Sequence, residues 1–206
     1  MNGLLGAALR EIGFDVTTMA GSVRREPGSG RPDGNHLVLK VMLNGAPWIA
    51  DVGFGDAMIE PLPLAEGTTM VEGLRFAIER LPDGWWRVHN HPWGGAPSYD
   101  FPDEPADVAA LAPVRDWLAT SPDSPFTKLP MVFRHHPGRI EALIGRTRRT
   151  ITAAGPTERV LANADDLIAT LAADFGLTLP EVAPLWPRIE AAHAVWLAAQ
   201  AEQPRP

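Results

Sequence analysis

The chain has 206 residues, 45% of them hydrophobic, which suffices for one large domain or two small ones with a sizeable core. The formal net charge is -7 and no long basic run occurs, so the composition argues against nucleic acid as a partner. There is no cysteine, which excludes disulfides, cysteine-ligated metal and a cysteine nucleophile within these residues. No stretch predicts a transmembrane helix or a secretory signal, so we expect a cytoplasmic protein without a membrane partner.

Hydrophobic periodicity predicts a helix, then many short strands, then helices. Apolar residues at helical spacing indicate a short amphipathic helix from Leu4 to Ile12. Alternating or apolar runs predict strands over residues 14–23, 36–43, 46–52, 74–80, 85–90, 130–135, 139–145 and 147–153. A polar Gly/Pro-rich loop is predicted at residues 26–35. Further helices are predicted at 107–120, at 164–175 with Gly176 as the C-cap, and at 187–200. This order favours an α+β fold with an antiparallel barrel or sheet in the middle.

A His–Asp pair follows from the geometry of one predicted hairpin. Residues 44–45 are Asn-Gly, the strongest short hairpin signal, and they join two predicted strands. If they form a two-residue turn, counting outward places His36 and Asp51 on the same sheet face as diagonal neighbours on adjacent strands, with their backbones about 7–8 Å apart. A carboxylate beside an imidazole fixes its tautomer and stabilises the imidazolium, as in a general base with its orienting acid.

Two interpretations of this pair remain open from spacing alone. A His and an Asp on neighbouring strands often form only a local hydrogen bond, and no residue nearby is marked as an activated nucleophile. Ser22 and Thr17 are close in sequence, but nothing indicates that either is activated. A metal site is not predicted, because the histidines at 89–91 and 135–136 have no further ligand cluster at metal spacing.

Short segments spread over residues 2–180 form an ordered pattern. They are Asn-Gly-Leu-Leu at 2–5, Gly-Phe-Asp-Val at 13–16, His-Leu at 36–37, Asp-Val-Gly-Phe-Gly at 51–55, Ser-Pro-Asp-Ser-Pro-Phe at 121–126, Gly-Arg-Thr at 145–147 and Phe-Gly-Leu at 175–177. Each is short, but their order and spacing together are specific. In this arrangement they resemble the arylamine N-acetyltransferase family.

The resemblance implies an α+β fold with a cysteine-protease-like triad architecture. Residues 1–14 would be the remnant of an N-terminal helical bundle, 15–115 a central antiparallel β-barrel, and 116–206 an α/β lid with C-terminal helices. Members transfer an acetyl group from acetyl-CoA to an aromatic amine or hydrazine by a ping-pong route without a metal. The family's Cys–His–Asp triad assigns His36 as the base that activates the thiol and Asp51 as the carboxylate that orients it.

The resemblance also implies which residues contact substrate or CoA. These are Gly53, Phe54, Gly55 and Phe126. The glycines let a ligand approach the backbone closely, and the two aromatic rings would line the acceptor pocket. From the residues alone, the interpretation of each phenylalanine as an ordinary core aromatic is favoured over a binding role.

The chain departs from the family pattern at its N-terminus. The family's nucleophile lies in the pattern Arg-Gly-Gly-x-Cys-x-Glu-x-Asn-Gly, and Asn2 and Gly3 match its last two residues. The cysteine and nearly all of the helical bundle would then precede Met1. We expect either a misplaced start in the gene model of a complete enzyme or a true truncation. The first is favoured, because a natural truncation more often falls at a domain boundary than inside a helical turn.

Three functional hypotheses follow. The first is an arylamine N-acetyltransferase whose cysteine is missing from this sequence. The second is a catalytically dead relic that binds acyl-CoA or aromatic amines. The third is a protein-interaction module whose uncovered apolar face docks a partner. In each case the sequence predicts that residues 1–206 alone form no acetyl-enzyme.

Overall fold

The computed structural model describes residues 1–25 and 34–202, the last four of them by their backbone alone. Most of the loop predicted at 26–35 therefore lies outside the described residues. The chain divides into two compact units, Met1–Leu118 and Ala119–Pro206. The predicted three-part boundaries at residues 14 and 115 stay predictions.

The first unit begins with helix α1 (Asn2–Glu11), close to the predicted bounds. An antiparallel sheet follows, with strands β1 (Asp15–Val23), β2 (His36–Leu43), β3 (Ala46–Ala50), β4 (Leu62–Pro63), β5 (Gly67–Val71), β6 (Leu74–Arg80), β7 (Trp86–His89) and β8 (Ser98–Phe101). The eight strands lie in the order β4-β3-β2-β1-β8-β7-β6-β5.

The sheet curls into a nearly closed barrel. Its two edge strands, β4 and β5, are separated along the chain only by residues 64–66. Four backbone steps span at most about 14 Å, so the two edges must come close to each other. The predicted α+β class with a central antiparallel barrel is confirmed.

The β2–β3 hairpin has the predicted register. Asn44 and Gly45 both have positive φ, 51° and 79°, as a two-residue hairpin turn requires. Leu43 pairs with Ala46, and the pairing continues outward to Leu39 and Ala50. Strand β3 is shorter than the predicted 46–52, because beyond Ala50 the chain turns.

Helix α1 packs on the face of this hairpin. Leu5 and Leu9 contact a core that contains Val16, Leu39 and Val41. A Cβ atom at Gly6 would come within 3.0 Å of the Leu39 side chain, so the small residue lets the helix lie close to β2. This packing places the first turn of α1 beside the end of β3.

Helix α2 (Ala112–Thr120) runs across the division between the units. It begins five residues later than the predicted 107–120. The carboxylate of Asp107 accepts hydrogen bonds from the backbone N–H groups of Ala109 and Ala110, which holds a separate turn ahead of the helix.

The second unit contains helix α3 (Pro125–Lys128), strands β9 (Met131–His136), β10 (Arg139–Ile144), β11 (Thr147–Thr152) and β12 (Gly155–Val160), helix α4 (Ala164–Phe175), a 3-10 helix (Pro180–Leu185) and helix α5 (Trp186–Glu202). The strands form an antiparallel sheet in the order β12-β11-β10-β9. Gly176 caps α4 with φ of 70°, as predicted. The core of this unit consists of Leu143, Leu161, Leu167, Leu171, Phe175 and Ile189.

Four strands were not predicted: β4, β5, β8 and β12. Two of them, β4 and β8, have only two and four residues, too few to show a period. Strand β12 is mostly exposed, so its sequence carries no buried face. Within the described part of the chain, no helix is both long and apolar enough to cross a membrane.

Candidate active site

His36 and Asp51 meet at the open end of the β2–β3 hairpin. His36 is the first residue of β2, and Asp51 follows the last residue of β3. The His36 Nε2 atom lies 2.6 Å from Asp51 Oδ2, and the two side chains are 9% and 0% exposed. The pairing expected from the turn is therefore observed. The catalytic role of the two residues stays a prediction.

The hydrogen bond fixes the tautomer of the imidazole. An ionised carboxylate only accepts hydrogen bonds, so Nε2 of His36 carries the proton that faces Asp51. The lone pair of the neutral ring then lies on Nδ1. That nitrogen can take a proton from a nucleophile while Asp51 stabilises the resulting imidazolium.

Asn2 was not identified from the sequence as a site residue, yet it organises the other side of Asp51. Its Nδ2 donates to Asp51 Oδ1 at 2.6 Å and also to the backbone oxygen of Leu37. Its Oδ1 accepts from the backbone N–H of Val52 at 2.8 Å. The first residue of α1 thus joins the two strands that carry the pair. Only the position of Asn2 in the family-like pattern signals this role.

The hydrogen bonds around Asp51 keep its carboxylate ionised. Burial by itself raises the pKa of Asp51, but the hydrogen bond and positive charge of His36 act against it. The donors of Asn2 and Gly53 add to this effect, Gly53 through its N–H at 2.8 Å from Oδ1. The pKa of Asp51 therefore lies below its ordinary value of 3.8.

Two aromatic rings enclose the imidazole. The ring centroid of Phe54 lies 5.5 Å from that of His36, and the centroid of Tyr99 lies 5.0 Å from it. Phe54 and Tyr99 also pack edge to face at 4.8 Å. The family resemblance indicates Phe54 as a site residue, whereas nothing in the sequence indicates Tyr99, which lies on the unpredicted strand β8.

Tyr99 is fully buried, and its hydroxyl lies under the influence of the Asp51 carboxylate. The hydroxyl makes no well-formed hydrogen bond with any described atom. Burial, together with the negative charge of Asp51, raises the pKa of Tyr99 well above its ordinary value. The tyrosine therefore stays neutral in the folded protein at physiological pH.

The turn after Asp51 requires its glycines. A Cβ atom at Gly53 would lie 3.1 Å from Asn2 Nδ2 and 3.4 Å from His36 Cε1. Gly55 has φ of 70°, which other residues adopt only with strain. The two glycines allow the chain to reverse beside the imidazole and to carry Phe54 onto it.

Phe126 belongs to the second unit and is 63% exposed. It lies in the short helix α3, where the Ser124 hydroxyl oxygen accepts from the Phe126 N–H at 3.2 Å and caps the helix. The Ser-Pro-Asp-Ser-Pro-Phe segment thus forms a defined helix start. The role of Phe126 at a substrate stays a prediction.

An apolar cleft of about 570 Å³ opens in the first unit. Leu5 and Leu9 of α1, Val41 and Trp48 of the hairpin, and Met58 belong to its walls, and Asp51 also lines it. Among the described residues, no group of three or more His, Cys, Asp or Glu side chains is arranged to hold a metal ion.

Comparison with known proteins gives a consistent result. A sequence profile of the N-acetyltransferase family matches residues 1–183. Arylamine N-acetyltransferase from Escherichia coli (strain K12) is 27% identical over 183 residues, which cover 85% of this chain and 64% of that protein. Arylamine N-acetyltransferase 2 of Mus musculus is 29% identical over 170 residues, which cover 71% of this chain and 58% of that protein.

Solved structures agree with the sequence matches. The Mycobacterium marinum arylamine N-acetyltransferase in complex with CoA superposes with a TM-score of 0.76 at 27% identity, covering 92% of this chain and 72% of that chain. The chain spans less than two thirds of either curated relative named above.

Proposed function

Because this chain belongs to the arylamine N-acetyltransferase family, we propose that it provides the base and the orienting carboxylate for acetyl transfer from acetyl-CoA to an aromatic amine or hydrazine. In this proposal His36 is the general base and Asp51 is its orienting acid. Gly53, Phe54, Gly55 and Phe126 contact the substrates.

One observation carries the proposal: the buried His36–Asp51 contact of 2.6 Å, with Asn2 and Gly53 occupying the other carboxylate oxygen. A His–Asp pair that only stabilised the fold would not need a second ring nitrogen that is left for proton transfer. Among the described residues, Asp51 is the one hydrogen-bond partner recorded for the His36 ring. This leaves Nδ1 for a reacting group.

The proposed reaction has two half-reactions. His36 Nδ1 takes the proton of a cysteine thiol, and the thiolate attacks the carbonyl carbon of acetyl-CoA. The bond from that carbon to the CoA sulfur breaks, and CoA leaves with a proton from the imidazolium. The amine then attacks the carbonyl carbon of the acetyl-cysteine and loses a proton to His36. The bond from that carbon to the cysteine sulfur breaks, the amide leaves, and the imidazolium returns its proton to the thiolate.

The 206 residues contain no cysteine, so the thiol of this scheme must come from outside them. We propose that residues 1–206 by themselves form no acetyl-enzyme. His36 would still be positioned for the reaction, since its contacts with Asp51 and Asn2 involve only residues of this chain.

Acetyl-CoA as the donor is supported by the family and by the related M. marinum structure, which was solved with CoA. Phe54 offers its ring beside the imidazole, where the flat ring of an aromatic acceptor would pack. The buried Tyr99 ring supports Phe54 from behind.

The decisive experiment supplies the missing thiol. The family pattern Arg-Gly-Gly-x-Cys-x-Glu-x is placed directly before Asn2, and the purified extended chain is incubated with acetyl-CoA. Mass spectrometry then follows an acetyl adduct on the cysteine, and chromatography follows acetylation of an added arylamine. We expect an adduct that His36→Ala and Asp51→Ala reduce at least about 100-fold, because the thiolate is no longer generated or oriented.

Two controls define the outcome. The original chain of residues 1–206 is expected to give no adduct, and acetyl transfer by it above a His36→Ala background would show that another nucleophile acts. The variant His89→Ala, which alters an exposed histidine paired with Glu79, is expected to leave adduct formation unchanged. An adduct equally abundant with and without His36 would exclude the proposed base.

One second candidate is a protein that binds acyl-CoA or an aromatic amine without turnover, and the apolar cleft lined in part by Asp51 favours it. The apolar cleft of about 570 Å³ is large enough for a small aromatic ligand. Calorimetric titration of residues 1–206 with CoA and with an arylamine separates the two. Saturable binding, together with no adduct on the extended chain, would favour the second candidate.

A further inference from the structure

A polar cluster outside the His36–Asp51 pair holds the far end of the turn at residues 51–56. This turn carries Phe54, and we call it the Phe54 turn. The cluster consists of Asp56, Asn90, His91 and Gly95, and we call it the Asp56 cluster. Asp56 and His91 are buried, at 3% and 2% exposure. None of the roles proposed above involves these residues. Burying polar side chains costs free energy unless they form hydrogen bonds, so a buried polar cluster calls for an explanation.

Every polar atom of the Asp56 carboxylate faces a donor. Oδ2 accepts from the backbone N–H of Gly95 at 2.9 Å, and Oδ1 faces Asn90 Nδ2 at 3.4 Å. Asn90 in turn donates from Nδ2 to the Ala96 oxygen at 3.1 Å and accepts at Oδ1 from the His91 N–H at 2.9 Å. The loop between β7 and β8 therefore closes around one carboxylate from the Phe54 turn.

His91 fastens the same turn through the backbone. Its Nε2 lies 2.6 Å from the carbonyl oxygen of Asp56, and its Nδ1 accepts from the Trp93 N–H, with a distance of 3.2 Å. A carbonyl oxygen can only accept, so Nε2 carries the proton and both ring nitrogens are used by the neutral ring. The ring also packs edge to face on Phe76, at 5.6 Å between centroids.

The Phe54 turn is thus held at two ends. Asp51 fixes its start to His36 and Asn2, and Asp56 fixes its end to the β7–β8 loop. Between them, Gly53 and Gly55 lack the side chains that would otherwise restrict the backbone.

We propose that Asp56 and His91 are positioning residues that hold the Phe54 ring against His36. This inference rests on the proposed function only for the purpose of the Phe54 ring, which is to form an aromatic wall beside the reacting imidazole. The structural claim is independent of catalysis, because it concerns the distance between two rings in the chain alone. Asp56 acts through its carboxylate and its carbonyl oxygen, and His91 acts through Nε2.

The test uses nuclear magnetic resonance on the full chain of 206 residues with labelled aromatic and histidine side chains. In the parent protein we expect proton–proton cross-relaxation between the Phe54 ring and both the His36 and Tyr99 rings, whose centroids lie 4.8 to 5.5 Å away. The variants Asp56→Ala and His91→Leu are expected to reduce these signals at least about twofold and to shift the His36 ring protons, because the ring current of Phe54 moves away.

Conservative variants separate positioning from general loss of structure. Asp56→Asn keeps an acceptor for the Gly95 N–H, and His91→Gln keeps a donor for the Asp56 oxygen, so both are expected to retain most of the Phe54–His36 signal. The matched controls are His89→Gln and Asp83→Ala, which alter exposed residues of the same unit and should change nothing at His36.

The proposal is overturned if Asp56→Ala and His91→Leu fold and keep the parent Phe54–His36 signal. If either fails to fold, the conservative variants decide. A partial loss of the Phe54–His36 signal in Asp56→Asn and His91→Gln, absent from the controls, supports the proposal, and the full parent signal in both variants contradicts it. The readout needs no acetyl donor, so a lack of acetyl transfer would count against the proposed function alone.

Discussion

Asp51 and Asp100 are both buried carboxylates of the first unit, and their surroundings differ in one respect. Asp100 lies in β8, where Arg87 donates to its two oxygens at 2.7 and 2.8 Å and Arg25 lies 3.8 Å away. Among the described residues Asp51 has no arginine partner; its carboxylate accepts from the His36 ring, Asn2 and the Gly53 N–H, and the Tyr99 hydroxyl lies near it.

The difference separates a structural pair from a reactive one. A guanidinium keeps its charge at every pH that a protein tolerates, so the Asp100 pair cannot exchange a proton. A neutral imidazole can accept a proton at its second ring nitrogen and release it again, so the Asp51 pair can pass one to another group. The partner of a buried carboxylate, more than its burial, indicates whether it serves the fold or the chemistry.

We expect the largest effect on stability from removing the arginine that pairs with Asp100. Arg87→Ala leaves a buried carboxylate whose remaining arginine neighbour, in the described part of the chain, is Arg25 at 3.8 Å. We expect the variant to lower the free energy of unfolding by about 3 kcal/mol. Urea-induced unfolding at neutral pH measures the change. The control Arg115→Ala removes an exposed pair with Asp116 and should change little. Equal losses of unfolding free energy in both variants would show that the Arg87–Asp100 pair stabilises the fold no more than an exposed ion pair does.

A smaller loss is expected on the Asp51 side. Asn2→Ala removes the amide that contacts Asp51, Leu37 and Val52, and we expect a loss of about 2 kcal/mol at pH 7. Gly3→Ala is the matched control in the same helical turn, since a Cβ atom there meets nothing within 4 Å.

The pH dependence of that loss follows from the lowered pKa of Asp51. A lowered pKa in the folded state contributes stability above the unfolded-state value of about 4, and this contribution disappears as the pH falls through the folded-state pKa. Asn2→Ala should reduce this contribution, so its deficit relative to the parent protein should shrink on acidification below about pH 4. A deficit that stays constant with pH would show that Asn2 acts only through its backbone partners.

The smallest effect at neutral pH is expected for Tyr99→Phe, which removes a neutral hydroxyl near the Asp51 carboxylate. Because the hydroxyl makes no well-formed hydrogen bond with a described atom, we expect a change within about 1 kcal/mol. At alkaline pH the variant should gain relative to the parent protein. The raised pKa keeps Tyr99 protonated in the folded state, whereas the unfolded chain loses the proton above about pH 10, so the parent loses up to about 1.4 kcal/mol per pH unit there.

The chain contains a single tyrosine, so its near-ultraviolet absorbance reports this titration directly. The parent protein should show tyrosinate only as it unfolds in alkali. Tyrosinate formation in the folded protein near pH 10 would contradict the burial of the hydroxyl beside a carboxylate.

The sequence was sufficient for the part of the site that depends on local pairing. The Asn44–Gly45 turn set the register of one hairpin, and that register placed His36 beside Asp51. Contacts between segments that are distant in sequence had no comparable local motif to predict them. Tyr99 reaches the site on a strand of four residues, too short to show a period, and Asn2 reaches it through the packing of α1 on the sheet.

The same distinction applies to the Asp56 cluster. Asp56 is more than thirty positions away from the other three residues, and its hydrogen bonds to them join loop to loop. Loop geometry depends on side chains that satisfy individual backbone groups, and a hydrophobic pattern contains no record of them. The buried His91 therefore could not be distinguished in the sequence from the exposed His89 two residues earlier.

The order of strands in the barrel has a consequence for how the protein folds. Strands β1 to β4 pair in sequence order, and so do β5 to β8, so each half forms from neighbouring segments. The halves join where Ser22 and Val23 pair with Asp100 and Tyr99, a contact that closes a long loop and is slow to form. Hydrogen-exchange pulse labelling should find the β2–β3 amides protected before the amide of Arg24, which donates to the Ser98 oxygen across this join, and the reverse order would contradict this. His36 and Asp51 would then meet early in folding, and Tyr99 would cover them last.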